Sequence, residues 1–154
     1  MASKYLLPAF LEGKVDPLKY ERWINGRAMA HFTRDSKRGH ENLTVAKYKV
    51  LIHEAVVLSS GLDYYTGEML NWSLVGTYEN AASKLGRHAY KKTFGLLPSI
   101  DHEDAASTSA AFRICAWRTN DAKHDLTSEE FLALSRRVVE HAGYKVIDHS
   151  SPAV

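Results

Sequence analysis

Residues Leu97–Leu126, LPSIDHEDAASTSAAFRICAWRTNDAKHDL, decide how this chain is read. An apolar run ends on the pair Asp101-His102, a loop of Ala, Ser, Thr and Asp follows, and a second apolar run covers Phe112 to Trp117. The run lengths and the loop composition predict one strand over 99–102 and a second over 112–117. A short helix is expected to start near Asn120, which gives the order strand, strand, helix.

Downstream, Thr127 and Glu130 form a capping box, and Phe131, Leu134, Val138 and Ala142 recur at helical spacing up to Gly143. Tyr144–Ile147 reads as a terminal strand, and the tail beyond His149 as frayed. Upstream, Asp16-Pro17 pairs an N-cap with the residue best tolerated at the first helical position, so a helix is expected over 16–38, stopped by Gly39. Val45, Tyr48, Ile52, Ala55 and Ser59 mark a second helix, ended by Gly61 and packed on the first. Asp63–Glu68 has the chemistry of a tight reversal. Trp72–Phe94 reads as a third helix with Tyr78, Ala82, Leu85 and Ala89 on one side; Gly86 inside it, about 1 kcal/mol worse than Ala, marks a bend.

A chain of 154 residues, 45% hydrophobic, can bury one core and is short for two. The expectation is one α+β domain over 1–154: helical N-terminal layers over about 1–96, the strand-strand-helix unit over about 97–126, and a C-terminal helix over about 127–142. Cys115 stands alone, which excludes an internal disulfide and a zinc knuckle of paired cysteines; it reads as a small buried hydrophobe in a reduced, cytoplasmic protein. No run reaches the ~18 apolar residues of a membrane span, and no long apolar leader opens the chain.

A carboxylate next to a histidine has a definite use. Hydrolysing a phosphodiester at neutral pH needs a base to activate water and a cation to stabilise charge on the phosphate. Mg²⁺ takes oxygen ligands and keeps several waters, so one Asp and one amide oxygen can hold it when a phosphate completes the shell. Asp101 and Asn120 meet that description. Neighbouring residues on a strand point to opposite faces, so Asp101 and His102 share a cleft only if the strand ends and twists there.

The Asp101-His102 pair, the two strands and Asn120-Asp-Ala-Lys123 together resemble the HNH, or ββα-metal, nucleases, over about 30 residues. Tyr65-Thr-Gly-Glu68 is similar to a turn that precedes the catalytic unit in some of them. The resemblance implies a ββα-metal unit that hydrolyses DNA. His102 would be the general base, Asp101 and Asn120 would hold one divalent cation, and His124, four residues after Asn120, would be a further ligand. Mg²⁺ is the expected metal, with Mn²⁺, Ni²⁺ and Zn²⁺ as alternatives. The chain departs from the family where a middle Asn usually braces the loop, since Ser107–Ala111 stand there, and in lacking flanking cysteine pairs.

A net charge of +2 carries little information, but placement does. Lys84, Arg87, His88, Lys91 and Lys92 recur as one uninterrupted basic stripe on the third helix, a track for DNA phosphates, duplex in the first instance. Lys123 would contact phosphate or fix its helix. Arg34, Lys37 and Arg38 form a weaker cluster that the helix dipole alone would favour. His31, His40, His53, His88, His141 and His149 read as exposed or packing residues, and Trp23, Trp72 and Trp117 as core anchors. Double-strand cleavage by a one-metal site would suit a homodimer. The rival readings are a non-catalytic DNA-binding protein that retains the fold and a protein-interaction accessory factor.

Overall fold

Helix α1 (Pro17–Lys37) starts where the sequence places it, because Asp16 Oδ1 accepts the Leu18 and Lys19 amides at 2.9 and 3.1 Å and Pro17 needs no amide partner. Its buried face is Tyr20, Trp23, Ile24, Ala28, His31 and Asp35, a stripe at helical spacing whose last two members are polar. The computed structural model describes residues 5–41, 43–103 and 110–149; part of the expected Ser107–Ala111 loop and the tail beyond 149 lie outside them. Helix α2 (Val45–Ser59), capped by Thr44 Oγ1 on the Lys47 amide, buries Tyr48, Ile52, Ala55 and Val56 and packs on α1.

The reversal at Asp63–Glu68 ties two distant parts of the chain together. Asp63 Oδ1 accepts the amides of Tyr65 and Thr66 at 2.7 and 3.0 Å, the bonding of an Asx turn. Its Oδ2 accepts the Ala116 amide and the Thr119 hydroxyl, each at 2.7 Å, so this buried carboxylate fixes the point where the second strand becomes a helix.

Residues 72–94 are not one helix. A 3₁₀ turn at Trp72–Leu74 is followed by a turn at Val75-Gly76 and irregular chain, and α3 covers only Asn80–Lys92. Arg87 interrupts it at φ 47°, and a Cβ on Gly86 would lie 2.6 Å from Tyr90 Cβ. The bend expected at Gly86 is therefore a break at the next residue. Around it Tyr78, Tyr90, Phe94 and Trp117 gather in an aromatic cluster with centroids 5.0–5.5 Å apart, tertiary packing that a local helix pattern does not register.

Strands β1 (Pro98–His102) and β2 (Phe112–Ala116) pair antiparallel, with Asp101 opposite Arg113 and His102 opposite Phe112. Helix α4 (Trp117–Lys123) follows β2 directly, three residues before the expected start at Asn120. It begins there because the Trp117 and Arg118 amides find the Leu97 and Gly95 carbonyls at 2.9 and 3.1 Å. Helix α5 (Ser128–His141) has the expected capping box between Thr127 and Glu130, but only Ser128 of it is buried, and Leu132 and Val138 are exposed. Residues 144–147 form no strand; they are exposed and meet no sheet edge.

The fold is thus α+β, five helices and one two-stranded sheet among the described residues. Its buried apolar residues form one cluster from Tyr5 to Ala116, with Trp23 and Trp72 edge to face at 5.7 Å and Trp117 packed against its margin. Cys115 is buried, and that burial pushes its thiol pKa up. Among the described residues no helix is long and apolar enough to cross a membrane.

Candidate active site

The chemistry-bearing residues of β1 separate onto two faces. Pairing continues past the strand end, since Glu103 N donates to Ala111 O at 2.9 Å, so the pleat persists through His102 and sends it and Asp101 to opposite sides. The twist that would bring both into one cleft is absent from residues 98–103.

On one side, Asp101 faces α4. Its Oδ1 accepts from Lys123 Nζ at 3.1 Å and its Oδ2 from the Tyr65 hydroxyl at 2.7 Å, with Ser128 Oγ 3.1 Å beyond that hydroxyl. Asp101 is 5% and Lys123 2% exposed, so this is a buried ion pair. Burial and the Asp101 carboxylate both push the Tyr65 pKa up. Asn120, three residues before Lys123 and on the same face of α4, donates Nδ2 to Ser99 Oγ at 2.9 Å and to Ile100 O at 3.4 Å. Lys123 and Asn120 thus clamp α4 to β1. Lys123 fixes its helix and is too deeply buried to touch a DNA phosphate.

His124 lies outside this group. Helix α4 ends at Lys123 and His124 takes φ 52°, so the i, i+4 relation to Asn120 does not place it on the Asn120 face. Its side chain is 80% exposed and pairs with Asp125.

On the other side, His102 faces α1 and α2. Nε2 lies 2.9 Å from Asp35 Oδ2, which also accepts the Tyr48 hydroxyl at 2.7 Å; Nδ1 lies 3.2 Å from an Arg34 amino group. The same Arg34 nitrogen lies 2.6 Å from His31 Nδ1, and the rings of His31, His102 and Phe112 pack at 4.9–5.2 Å. Burial lowers the pKa of His102 against the opposing pull of Asp35. Burial first, then the Arg34 charge, lowers that of His31 to about 3. Both shifts favour the neutral ring. For Asp35 burial is opposed by the bonds from Tyr48 and His102, and the net shift is downward, so it is a carboxylate.

Asp35, Tyr48 and Arg34 were not expected at the site. The signal for Asp35 was present: an aspartate in register with Tyr20, Ile24, Ala28 and His31 on the core face of a helix needs a polar partner.

The basic stripe is also divided. The reversal at Arg87 takes Lys84 off the line of His88, Lys91 and Lys92. The latter three, with Trp117, Arg118 and Asp121, line an open cleft of about 700 Å³ beside α4.

No family model, curated protein or solved structure matches this chain. The donor set therefore has to be judged on its own chemistry. Among the described residues no group of three His, Cys, Asp or Glu side chains is placed to hold a metal ion. Of the expected ligands Asp101, Asn120 and His124, the first already has an ammonium on one oxygen and a hydroxyl on the other, and the last points away. As arranged, these residues do not fit a divalent cation.

Proposed function

We propose that the chain is an endonuclease that hydrolyses DNA phosphodiester bonds through an HNH-like site with His102 as its base. The observation that supports this most is the surroundings of His102: a neutral ring held by a buried carboxylate on one nitrogen, with an exposed arginine at the other. A base must be neutral to accept a proton, and a guanidinium is the side chain best shaped to hold a phosphate. In the reaction, a water gives its proton to His102 and its oxygen pair to phosphorus. The bond from phosphorus to the leaving sugar oxygen breaks with its electron pair, and that oxygen is protonated from solvent. Arg34 would carry the charge developing on the phosphate. Lys91, Lys92 and Arg118, which line the cleft beside α4 and not the surroundings of His102, would bind a separate stretch of the duplex DNA backbone without reading sequence. The Asp101–Lys123 pair occupies the carboxylate that would hold Mg²⁺ or another divalent metal.

That pair favours a second reading, a DNA-binding protein without catalysis that retains the strand-strand-helix order. Incubation of purified protein with supercoiled plasmid separates the two, using Mg²⁺, Mn²⁺, Ni²⁺ and Zn²⁺ in turn and a chelator. Nicked circles from the parent and none from His102→Gln are expected. Retention of DNA with no nicking under any condition would establish the second reading.

A further inference from the structure

We propose that Asp35 is a positioning residue for His102: by accepting a hydrogen bond from Nε2–H it fixes the ring in the tautomer whose lone pair lies on Nδ1, and so selects Nδ1 as the atom that takes the proton from water. The inference rests on the nuclease reading and deepens it by bringing α1, outside the strand-strand-helix unit, into the site.

A neutral imidazole has one N–H and one lone pair, and its neighbours decide which nitrogen carries which. A carboxylate only accepts hydrogen bonds and a guanidinium only donates them. Asp35 Oδ2 is 2.9 Å from Nε2 and Arg34 is 3.2 Å from Nδ1, so both partners demand the same tautomer. They are consecutive residues of α1, one buried and one exposed, which reach the two ends of a single ring.

The carboxylate is itself held. Tyr48 donates to the same Oδ2 at 2.7 Å from the facing helix α2, and Asp35 is wholly buried, so its rotamer is set by packing and hydrogen bonding together. Asp35 Oδ1 has no partner among the described residues, which concentrates the bonding on the oxygen that His102 uses. An Asp35–Tyr48 pair alone would be a structural detail. The further bond to a histidine whose other nitrogen faces an exposed arginine gives it a chemical consequence.

Arg34 completes the arrangement. In the free protein its guanidinium covers the Nδ1 lone pair, and His31 offers a second acceptor beside it at 2.6 Å. A DNA phosphate is a stronger partner for a guanidinium than either neutral ring. Its arrival would draw Arg34 away and open Nδ1 to the water it activates. The proton then passes from water to Nδ1, the oxygen pair attacks phosphorus, and the imidazolium formed lies against the Asp35 carboxylate.

The test is the ¹⁵N spectrum of the imidazoles in the full chain at a pH where His102 is neutral, with its signals identified by their loss in His102→Gln. The parent is expected to show His102 almost wholly as the Nε2–H tautomer. Asp35→Asn can accept or donate, so it should populate the Nδ1–H form and slow single-turnover plasmid cleavage by about 10²- to 10⁴-fold. Tyr48→Phe, which keeps the Asp35 carboxylate, should keep the tautomer. A parent spectrum with the Nδ1–H form would overturn the proposal whether or not Asp35→Asn folds. So would a folded Asp35→Asn that cleaves at the parent rate. The expected tautomer in a parent that cleaves nothing would instead overturn the nuclease reading, and with it the role of Nδ1 as a base.

Discussion

Lys123 Nζ lies 3.1 Å from Asp101 Oδ1, and both side chains are almost wholly buried between α4 and β1. Removing one member of such a pair strands the other charge. Lys123→Met should therefore cost about 3–5 kcal/mol in urea denaturation, and adding Asp101→Leu should recover most of that. A loss below 1 kcal/mol would show the pair to be solvated. The same geometry predicts that Mg²⁺ and a chelator give the parent the same melting temperature. A cation bound at 100 times its Kd would add about 2.7 kcal/mol, and a rise of that size would mean that metal displaces Lys123.

His102 cannot be truncated as freely as a surface base. His102→Ala leaves the buried Asp35 without its ring partner and should lower stability by about 1–3 kcal/mol as well as slowing cleavage by about 10²- to 10⁴-fold. His102→Gln can still donate to Asp35, so it should keep the fold and DNA affinity while losing about 10²- to 10⁴-fold in cleavage. Equal cleavage by His102→Gln and the parent would remove His102 from the mechanism.

Stability should fall with acid in a window set by His31. Its pKa is about 3 in the fold against about 6.5 when unfolded, so below about pH 6.5 the unfolded chain takes up a proton that the folded chain refuses. Stability is full above pH 6.5 and is lost progressively down to about pH 3. His102, also lowered, adds in the same direction. From pH 7 to pH 5 the loss from His31 alone is about 2 kcal/mol. Urea midpoints for the parent and His31→Gln across that range measure it, and parallel curves would remove His31 as the cause.

Lys91 and Lys92 line the cleft beside α4, whereas Lys84 lies across the Arg87 break. Lys91→Ala with Lys92→Ala should weaken binding to all duplex sequences alike and reduce the slope of log affinity against log salt by about one to two. Lys84→Ala should change it less. An equal effect at all three positions would restore the single stripe read from the sequence.

Gly86→Ala distinguishes the broken helix from a continuous one. In a regular helix the change would stabilise by about 1 kcal/mol. Here the new Cβ would lie 2.6 Å from Tyr90 Cβ, on a backbone that must move to admit it, so a loss of about 1–3 kcal/mol is expected. A higher melting temperature would show that α3 straightens at little cost.

Local rules were enough for much of this chain. The Asp16 cap, the Thr127–Glu130 box, the Asp63 turn and the two strands were legible because each depends on side chains a few residues apart. The break at Arg87 was not, because the aromatic rings on either side of it pack in one cluster with Trp117, outside that segment. Nor was the start of α4, which depends on carbonyls of residues 95 and 97. The sequence by itself determined which groups could do chemistry: one carboxylate, one histidine and one amide at fixed spacings. Only the tertiary structure decided their partners. Because strand side chains alternate, Asp101 turned to Lys123 and Tyr65 while His102 turned to Asp35 and Arg34, residues 67 and 68 positions away that no local pattern connects to it.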